Sequence, residues 1–238
     1  GDPERVRDAV RKWGDKGYNV GRRGGAVKAG GFARDAFQER ADLGMCGLYI
    51  PEAHDGMGMG TVEGMVVMEE LGRGIVLEPL AQSLIAGGVL SGYAPDAVKS
   101  AWLPQVASGA ALGVLANQER AARYRLDVCE AKATPAPVGY ALKATKSIVP
   151  AGDLANAFIV PAMVDGQLAL FLVERTASGV STRGYGTQDG SRAAELTLQN
   201  APATLITLAG MAALDHAVDN GIAATCAQAR SVRAKTLS

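Results

Sequence analysis

The spacing of apolar residues changes near Gly109, and that change limits the folds open to this chain. Before Gly109, apolar residues recur every three or four positions, as they do along one face of an α-helix. After it they alternate with polar residues, which is the period of strands that bury one face. Near Ala201 the pattern becomes helical again. We therefore predict a multidomain α+β chain in which a helical region, a strand region and a further helix follow one another.

The first region, residues 1–109, is predicted to be an N-terminal helical domain. Its apolar stripes are Val6, Val10 and Trp13, then Phe37 and Leu43, then Val62, Met65, Val66, Met68 and Leu71. The Gly-rich stretch 55–60 lacks the preceding strand and the following Lys-Ser/Thr of a phosphate-binding loop, so it is interpreted as a plain turn. Thr61 is placed to cap the helix that follows this turn.

Residues 110–200 are predicted to form an antiparallel β-barrel or sandwich. Tyr140, Leu142 and Ala144 alternate with polar residues, and two short apolar runs at 157–160 and 168–173 flank a hairpin turn at Asp165-Gly166. Several strands at this spacing are typical of small barrels and sandwiches. Residues 201–238 begin a C-terminal helical bundle, with a stripe made of Leu208, Met211, Leu214, Ala217 and Val218.

Composition excludes several classes of partner. The 24 basic and 24 acidic side chains cancel, so no overall positive field is present to hold nucleic acid. No apolar run reaches the roughly 20 residues of a membrane span, and the first residues lack a signal-peptide pattern. Three widely spaced cysteines indicate neither a disulfide framework nor a metal site, which favours a cytoplasmic protein.

Several local motifs occur in an order that resembles the acyl-CoA dehydrogenase family. They are the loop Leu43–Glu52 with the turn after it, the helix segment Met68–Arg73, the stretch Trp102–Gly109, the pair of segments Leu115–Glu119 and Ala144–Asp153, and the strand Asp189–Leu196. The resemblance implies an N-terminal helical domain, a middle β-domain and a C-terminal helical domain, most of which is absent from this chain. Segments 73–79 and 117–120 are similar to the bacterial branch that acts on bulky or dicarboxylic acyl-CoAs.

The resemblance also implies a reaction. Enzymes of this family use FAD to remove two hydrogens from an acyl-CoA thioester, which leaves a 2,3-enoyl-CoA. A glutamate takes the proton beside the carbonyl while the flavin takes a hydride, so the cofactor carries the redox chemistry. That glutamate is expected in the C-terminal domain, and no residue of this chain is assigned as the catalytic base.

The cofactor-binding residues implied by the resemblance come from two segments. Gln118 stands where the family bonds the pyrimidine edge of the flavin, and Glu119 matches the Glu of the same motif. Lys146, Ser147, Ile148 and Pro150 belong to the strand that faces the flavin, with Ile148 in the place of a Trp and Pro150 in the place of a hydroxyl residue. Since Pro has no N–H, its position cannot donate a hydrogen bond.

The substrate-binding residues implied are Tyr124 and Arg123. Tyr124 falls near the expected CoA arm, and Arg123 lies in a basic cluster with Arg120 and Arg125 whose guanidinium groups match phosphate geometry. The alternative for this cluster is a loop that faces water, which is slightly the better fit.

The sequence leaves the roles of Lys146 and of three methionines open. Lys146 is either part of the charge environment near the flavin or an ordinary surface lysine. Met57, Met65 and Met68 either line an acyl pocket or pack in the core. His54 and His216 lack the neighbours of a metal site, so neither is expected to bind a metal.

The expected partners are an acyl-CoA substrate, an electron-transfer flavoprotein or similar acceptor, and further subunits in a homo- or hetero-oligomer. No nucleic acid partner and no metal are expected. The rival hypothesis is a non-catalytic partner subunit whose flavin site has degenerated while an unlike subunit holds the working FAD.

Overall fold

The computed structural model describes residues 3–17, 25, 32–74, 79–122, 125 and 128–236. The helices before the strand region are α1 (Pro3–Gly17), α2 (Arg34–Asp42), α3 (Thr61–Gly74), α4 (Leu80–Tyr93) and α5 (Asp96–Ala107). Two short 3₁₀ turns, Met45–Gly47 and Glu52–His54, lie between α2 and α3. The strands are β1 (Gly113–Leu115), β2 (Lys132–Pro135), β3 (Tyr140–Pro150), β4 (Ala157–Val164), β5 (Gln167–Glu174), β6 (Val180–Gly186) and β7 (Arg192–Thr207). Helix α6 (Gly210–Thr236) follows.

The strands close into a barrel. Strand β4 pairs with β2, β2 with β3, β3 with β7, β7 with β5, and β5 returns to β4. Strand β1 extends the sheet beside β4, and β6 pairs with β7 outside the ring. The predicted order of helical region, β-barrel and C-terminal helix is therefore confirmed.

The barrel differs from the prediction in one respect, because it is not wholly antiparallel. Strand β1 runs parallel to β4, and β2 meets β4 in parallel at Lys132 and Met163. The ring has five strands and its other four contacts are antiparallel, so the contact that closes it between β2 and β4 has to be parallel. Alternation within one strand does not reveal the direction of its neighbour, so the sequence could not indicate the parallel pairs.

The predicted hairpin between β4 and β5 is confirmed. Val164 pairs with Gln167, which leaves Asp165 and Gly166 as the two loop residues. Both have positive φ angles, 49° and 77°. Two-residue turns of this kind match the twist of the flanking strands, and Asp-Gly is a favoured pair for them.

The Gly-rich turn is a structural turn, as interpreted from the sequence. The backbone N–H groups of Met57, Gly58 and Met59 donate to the carbonyl oxygens of Gly47, Ile50 and Leu48 at 2.9, 2.8 and 2.7 Å. The cap expected from Thr61 is wrong, because Thr61 is already the first residue of α3 and no N–H of the described residues donates to its hydroxyl, which itself donates to Asn220 Oδ1 at 3.3 Å. Glu63 instead accepts the N–H of Gly60 at 3.1 Å, as the acidic residue of a capping box does.

A continuous apolar core joins the helices to the barrel. It contains Phe37 and Val67 from helices, and Leu142, Phe158 and Phe171 from strands. Helix α6 packs against α3 and α4 and also contacts β5. Some residues of the predicted stripes lie at the surface instead: Leu43, Val62, Met65, Leu208 and Met211 are between 40% and 63% exposed.

Candidate functional site

Two segments that are distant in sequence meet at one edge of the barrel. The segment after β1 runs beside β3, and the backbone N–H of Ser147 donates to the carbonyl oxygen of Gln118 at 2.8 Å. The same segment is anchored further back, where Ala116 N–H donates to Ile159 O at 2.9 Å. Gln118 therefore lies directly beside the centre of the predicted flavin-facing strand.

A buried ion pair fastens the two segments together. The Lys146 ammonium lies 2.6 Å from Glu119 Oε1, and the side chains are 1% and 5% exposed. The backbone N–H groups of Glu130 and Ala131 also donate to this carboxylate, at 2.7 and 3.2 Å. Because an unpaired buried charge is costly, each of these two side chains needs the other to be tolerated in the interior. The interpretation of Lys146 as a surface lysine is therefore wrong.

The surroundings of Glu119 also set its pKa. Burial raises the pKa of the Glu119 carboxyl, because it disfavours the charged form. The hydrogen bond from Lys146, the N–H of Glu130, the positive charge of Lys146 and the N–H of Ala131 all act in the opposite direction and together outweigh burial. The net pKa is lowered, so Glu119 is an anion at neutral pH.

Strand β3 is interrupted at this point by a β-bulge. Lys146 pairs with Leu196 and Val149 with Ala194, so Ser147 and Ile148 together stand opposite Glu195. Ile148 has a φ of 49°, a conformation that β-branched residues rarely adopt. The bulge points Ile148 outward, where it is 51% exposed, while Ser147 is only 7% exposed. A bulge re-aims a side chain in this way and is frequent beside functional sites.

Beyond the bulge, β3 ends in a turn that is held by side-chain hydrogen bonds. Pro150 is exposed at the end of β3, on the outer side of the barrel. Arg192 Nε donates to Asp153 at 2.8 Å, and Arg175 Nη1 donates to the carbonyl oxygens of Gly152 and Ala155 at 3.0 and 3.3 Å. These bonds hold the chain that follows Pro150 against β5 and β7, so the outer face keeps its shape.

Charged side chains border the exposed Ile148 on the β7 side. Glu195 forms ion pairs with Arg120 and, at 2.8 Å, with Arg183 of β6. Both arginine side chains are 77% exposed, so each pair contributes little stability. Arg120 nevertheless joins the Gln118 segment to β7 across the bulge.

The structure thus brings most of the predicted cofactor-binding residues together. Gln118, Glu119, Lys146, Ser147 and Ile148 lie around one hydrogen-bonded junction, and Pro150 follows two residues later. Ile148 and Pro150 face outward, whereas Glu119, Lys146 and Ser147 lie beneath them in the interior. The predicted substrate-binding residues Arg123 and Tyr124 lie outside the described residues.

Sequence reasoning missed Cys129, Arg183 and Glu195 as neighbours of this junction. Cys129 Sγ lies 3.6 Å from Glu119 Oε1 and 3.9 Å from Lys146 Nζ. Burial raises the pKa of the Cys129 thiol, and it is the largest of several effects on that group. The only signal in the sequence was the strand motif that contains Glu195, which does not reveal its partner across the sheet.

Comparisons with known proteins relate this chain to one protein family. The profile described as "Acyl-CoA dehydrogenase, N-terminal domain" matches residues 2–110. A solved structure described as a Tcur3481-Tcur3483 steroid ACAD variant superposes with a TM-score of 0.90 and 26% identity, over 99% of this chain and 64% of that one. Residues 2–110 of this chain therefore match the acyl-CoA dehydrogenase family. The family resemblance of its sequence is thereby confirmed.

Two further relatives show how much of a related protein this chain covers. Acyl-CoA dehydrogenase FadE27 of Mycobacterium tuberculosis is 27% identical over 171 residues, which cover 71% of this chain and 44% of that protein. A glutaryl-CoA dehydrogenase from Mycobacterium smegmatis, solved in complex with FADH2, has a TM-score of 0.83 at 21% identity, over 92% of this chain and 59% of that one. The chain therefore spans less than two thirds of the length of these relatives.

Membrane spans and metal clusters are both absent from the described part of the chain. No described helix is long and apolar enough to cross a membrane. No group of three His, Cys, Asp or Glu side chains with the geometry of a metal site occurs among the described residues.

Proposed function

We propose that this chain contributes the helical and β-barrel parts of an FAD-dependent acyl-CoA dehydrogenase, which converts an acyl-CoA thioester to a 2,3-enoyl-CoA. The observation that carries the proposal is the junction where Ser147 N–H bonds Gln118 O beside the outward-facing Ile148. Ile148 and Pro150 give an apolar face on the outside of the barrel, and the half-buried Gln118 lies beside that face. A flat ring system with one polar edge fits such a face.

The residues present fit a flavin through packing more than through hydrogen bonds. Ile148 and Pro150 supply apolar surface, and the half-buried Gln118 amide supplies two donors and an acceptor. Pro150 adds no donor, so the hydrogen bonding on that side has to come from elsewhere. The proposed cofactor-binding residues are Gln118, Ile148 and Pro150 in contact, with Glu119, Lys146 and Ser147 supporting them from below.

In this proposal the ion pair and the apolar residues of the junction have different roles in flavin binding. The ion pair of Glu119 and Lys146 holds the Gln118 segment against β3, which fixes the orientation of the Gln118 amide. Ile148 and Pro150 exclude water from the face that they cover. Bound FAD would supply the hydride acceptor, which the side chains of the protein cannot provide. Removal of the proton beside the carbonyl is not assigned to any residue of this chain.

The substrate and partners follow from the same proposal. The substrate is an acyl-CoA, the electrons pass to an electron-transfer flavoprotein or a similar acceptor, and the enzyme assembles as a homo- or hetero-oligomer. Arg123 and Tyr124 remain proposed substrate contacts.

A second candidate function is that of a non-catalytic partner subunit. The solved structure described as Tcur3481-Tcur3483 names two polypeptides, and it is the relative with 26% identity over 99% of this chain. The outward-facing Pro150 also favours this function, because it has no N–H and cannot donate a hydrogen bond to a flavin ring.

A purified sample separates the two functions. The protein is titrated with FAD, its absorbance spectrum is recorded, and acyl-CoA is added under anaerobic conditions. A bound flavin whose visible absorbance falls on addition of acyl-CoA supports the enzyme. A colourless protein that needs a second polypeptide for flavin binding and turnover supports the partner subunit.

Gln118→Ala tests the site itself. Loss of a hydrogen bond to the ring edge is expected to weaken FAD binding about tenfold, which corresponds to about 1.4 kcal/mol. The matched control is Gln105→Ala, since Gln105 is exposed and its Nε2 donates to Ala101 O at 2.7 Å within α5. Equal FAD affinity in the two variants would remove Gln118 from the proposed site.

A further inference from the structure

The same barrel carries a cavity next to the junction described above. A cavity of about 310 Å³ opens where β2, β3 and β7 meet. Its base is formed by the buried residues Ala131, Ala144 and Leu198, together with the Glu119 carboxylate. The exposed residues Glu130, Lys132, Lys143, Thr145 and Gln199 line the rest. A cavity of this size is at the lower end of small-molecule sites, large enough for a single anionic group.

Two neighbouring lysines line this cavity. Lys132 of β2 and Lys143 of β3 are direct cross-strand partners in the antiparallel ladder. Like charges at directly opposed positions destabilise a sheet. Neither ammonium forms an ion pair with a carboxylate of the described residues, although Glu130 lines the same cavity. The repulsion between the two lysines is therefore left uncompensated within the described part of the chain.

The other charges near the cavity leave a net positive site. Glu119 is neutralised by Lys146 at 2.6 Å, so its carboxylate does not offset the lysine pair. Among the described residues Glu130 forms no ion pair with either lysine, and when its charge is counted the cavity still carries one net positive charge. The hydroxyl of Thr145 and the amide of Gln199 add hydrogen-bond donors without charge.

We propose that this cavity binds a phosphate or diphosphate group, held between Lys132 and Lys143. An anion placed between the two ammonium groups replaces their repulsion by two attractions, and the donors of Thr145 and Gln199 complete its hydrogen bonds. Lysine suits a phosphate as a compact point charge. The group belongs either to a free phosphate compound or to the phosphate-bearing arm of a nucleotide coenzyme, because Lys143 and Thr145 lie on the same strand as Ile148.

The test uses inorganic pyrophosphate as the probe and does not depend on bound flavin. Binding to the wild-type protein is measured by isothermal titration at low and at high salt, and compared with Lys132→Gln, Lys143→Gln and the double variant. We expect saturable binding that each single variant weakens about tenfold, and that salt weakens further. The matched control is Lys99→Gln, which removes the same charge from α5, far from the cavity in sequence.

Thermal unfolding gives an independent readout. Pyrophosphate is expected to raise the Tm of the wild type and of Lys99→Gln, but not that of the double variant, since a ligand stabilises only the state that binds it. Without pyrophosphate, Lys143→Gln is expected to be at least as stable as the wild type, because it removes the repulsion. A variant that fails to fold is therefore distinguished from one that fails to bind.

The source of the phosphate group is identified by repeating the titration with CoA and with FAD. The coenzyme whose affinity falls in the lysine variants is the one whose phosphates occupy the cavity. If only pyrophosphate responds to the variants, the ligand is a free phosphate compound. Absence of saturable pyrophosphate binding, or equal binding by the wild type and the double variant, would overturn the inference, and neither result bears on flavin binding at Gln118.

Discussion

Lys146 is the residue on which the junction depends most, because its ammonium is buried with one carboxylate as its partner. Removing one member of a buried pair leaves the other charge uncompensated, which typically costs about 3–5 kcal/mol. We expect Lys146→Met to lower the free energy of unfolding by this amount, as measured by urea denaturation. Lys99→Met on α5, where Met and Lys have similar helix propensity, should change it by less than about 0.5 kcal/mol.

The double variant Glu119→Gln with Lys146→Met removes both charges together. It should be more stable than Lys146→Met alone, since no charge is left buried and the Gln can still accept the N–H of Glu130. If the double variant were as unstable as the sum of the two single variants, the ion pair would not be the coupling between the two segments.

Glu119 also predicts a dependence of stability on pH. Its folded-state pKa is lowered, so in the interval between the folded and unfolded values the unfolded state binds more protons, and stability rises with pH. The contribution is complete above the unfolded value of about 4.3 and is lost as the pH falls through the lower folded value. We expect Tm measured from neutral pH into this acidic range to fall less steeply in Glu119→Gln than in the wild type. Parallel curves would contradict the lowered pKa.

The position of Lys146 was open in the sequence for a physical reason. Strand alternation puts it on the inner face with Leu142 and Ala144, whereas its charge favours the outer face. The conflict is resolved by Glu119, which lies on a different segment and is brought close only by the tertiary fold. Gln118, by contrast, could be placed beside β3 from the two family motifs alone.

At the scale of elements, the bulge in β3 stores local strain. Ile148 adopts a left-handed conformation in which Gly has no steric penalty, so Ile148→Gly should be more stable than Ile148→Ala by about 1 kcal/mol. At an ordinary strand position the order is reversed, because Gly costs roughly 0.5–1 kcal/mol relative to Ala. Thr145, exposed on the same strand, provides that control. Urea midpoints of the four variants test the prediction, and the same order at both positions would show that the bulge is not strained.

Elements with local signals could be predicted, and those set by pairing could not. The Asp165-Gly166 hairpin depends on two adjacent residues, so its sequence is sufficient. The bulge at Ser147 and Ile148 arises because β3 and β7 shift register between Lys146 and Val149, which no pattern within β3 reveals. The parallel contact of β2 with β4 that closes the barrel is likewise a property of two strands.

At the scale of the whole molecule, the helices and the barrel share one core. Phe37 and Val67 belong to the same buried cluster as Leu142 and Phe158, so neither part buries its apolar surface alone. The described chain should therefore unfold in one cooperative transition. Its two tryptophans, Trp13 and Trp102, lie in α1 and α5, so their fluorescence reports on the helical part. The infrared amide band of β-structure reports on the barrel.

We expect the two probes to give coincident urea transitions, and Phe158→Ala to move both midpoints equally. Phe158 is fully buried in β4, and its truncation should cost about 3–5 kcal/mol by creating a cavity. Because the residue is in the barrel, an equal shift of tryptophan fluorescence requires that the helical part loses its stability together with the strands. Val138→Ala, in an exposed loop, is the control and should move neither midpoint. Separate midpoints, or a shift confined to the infrared band, would mean that the two parts fold independently and that the shared core does not couple them.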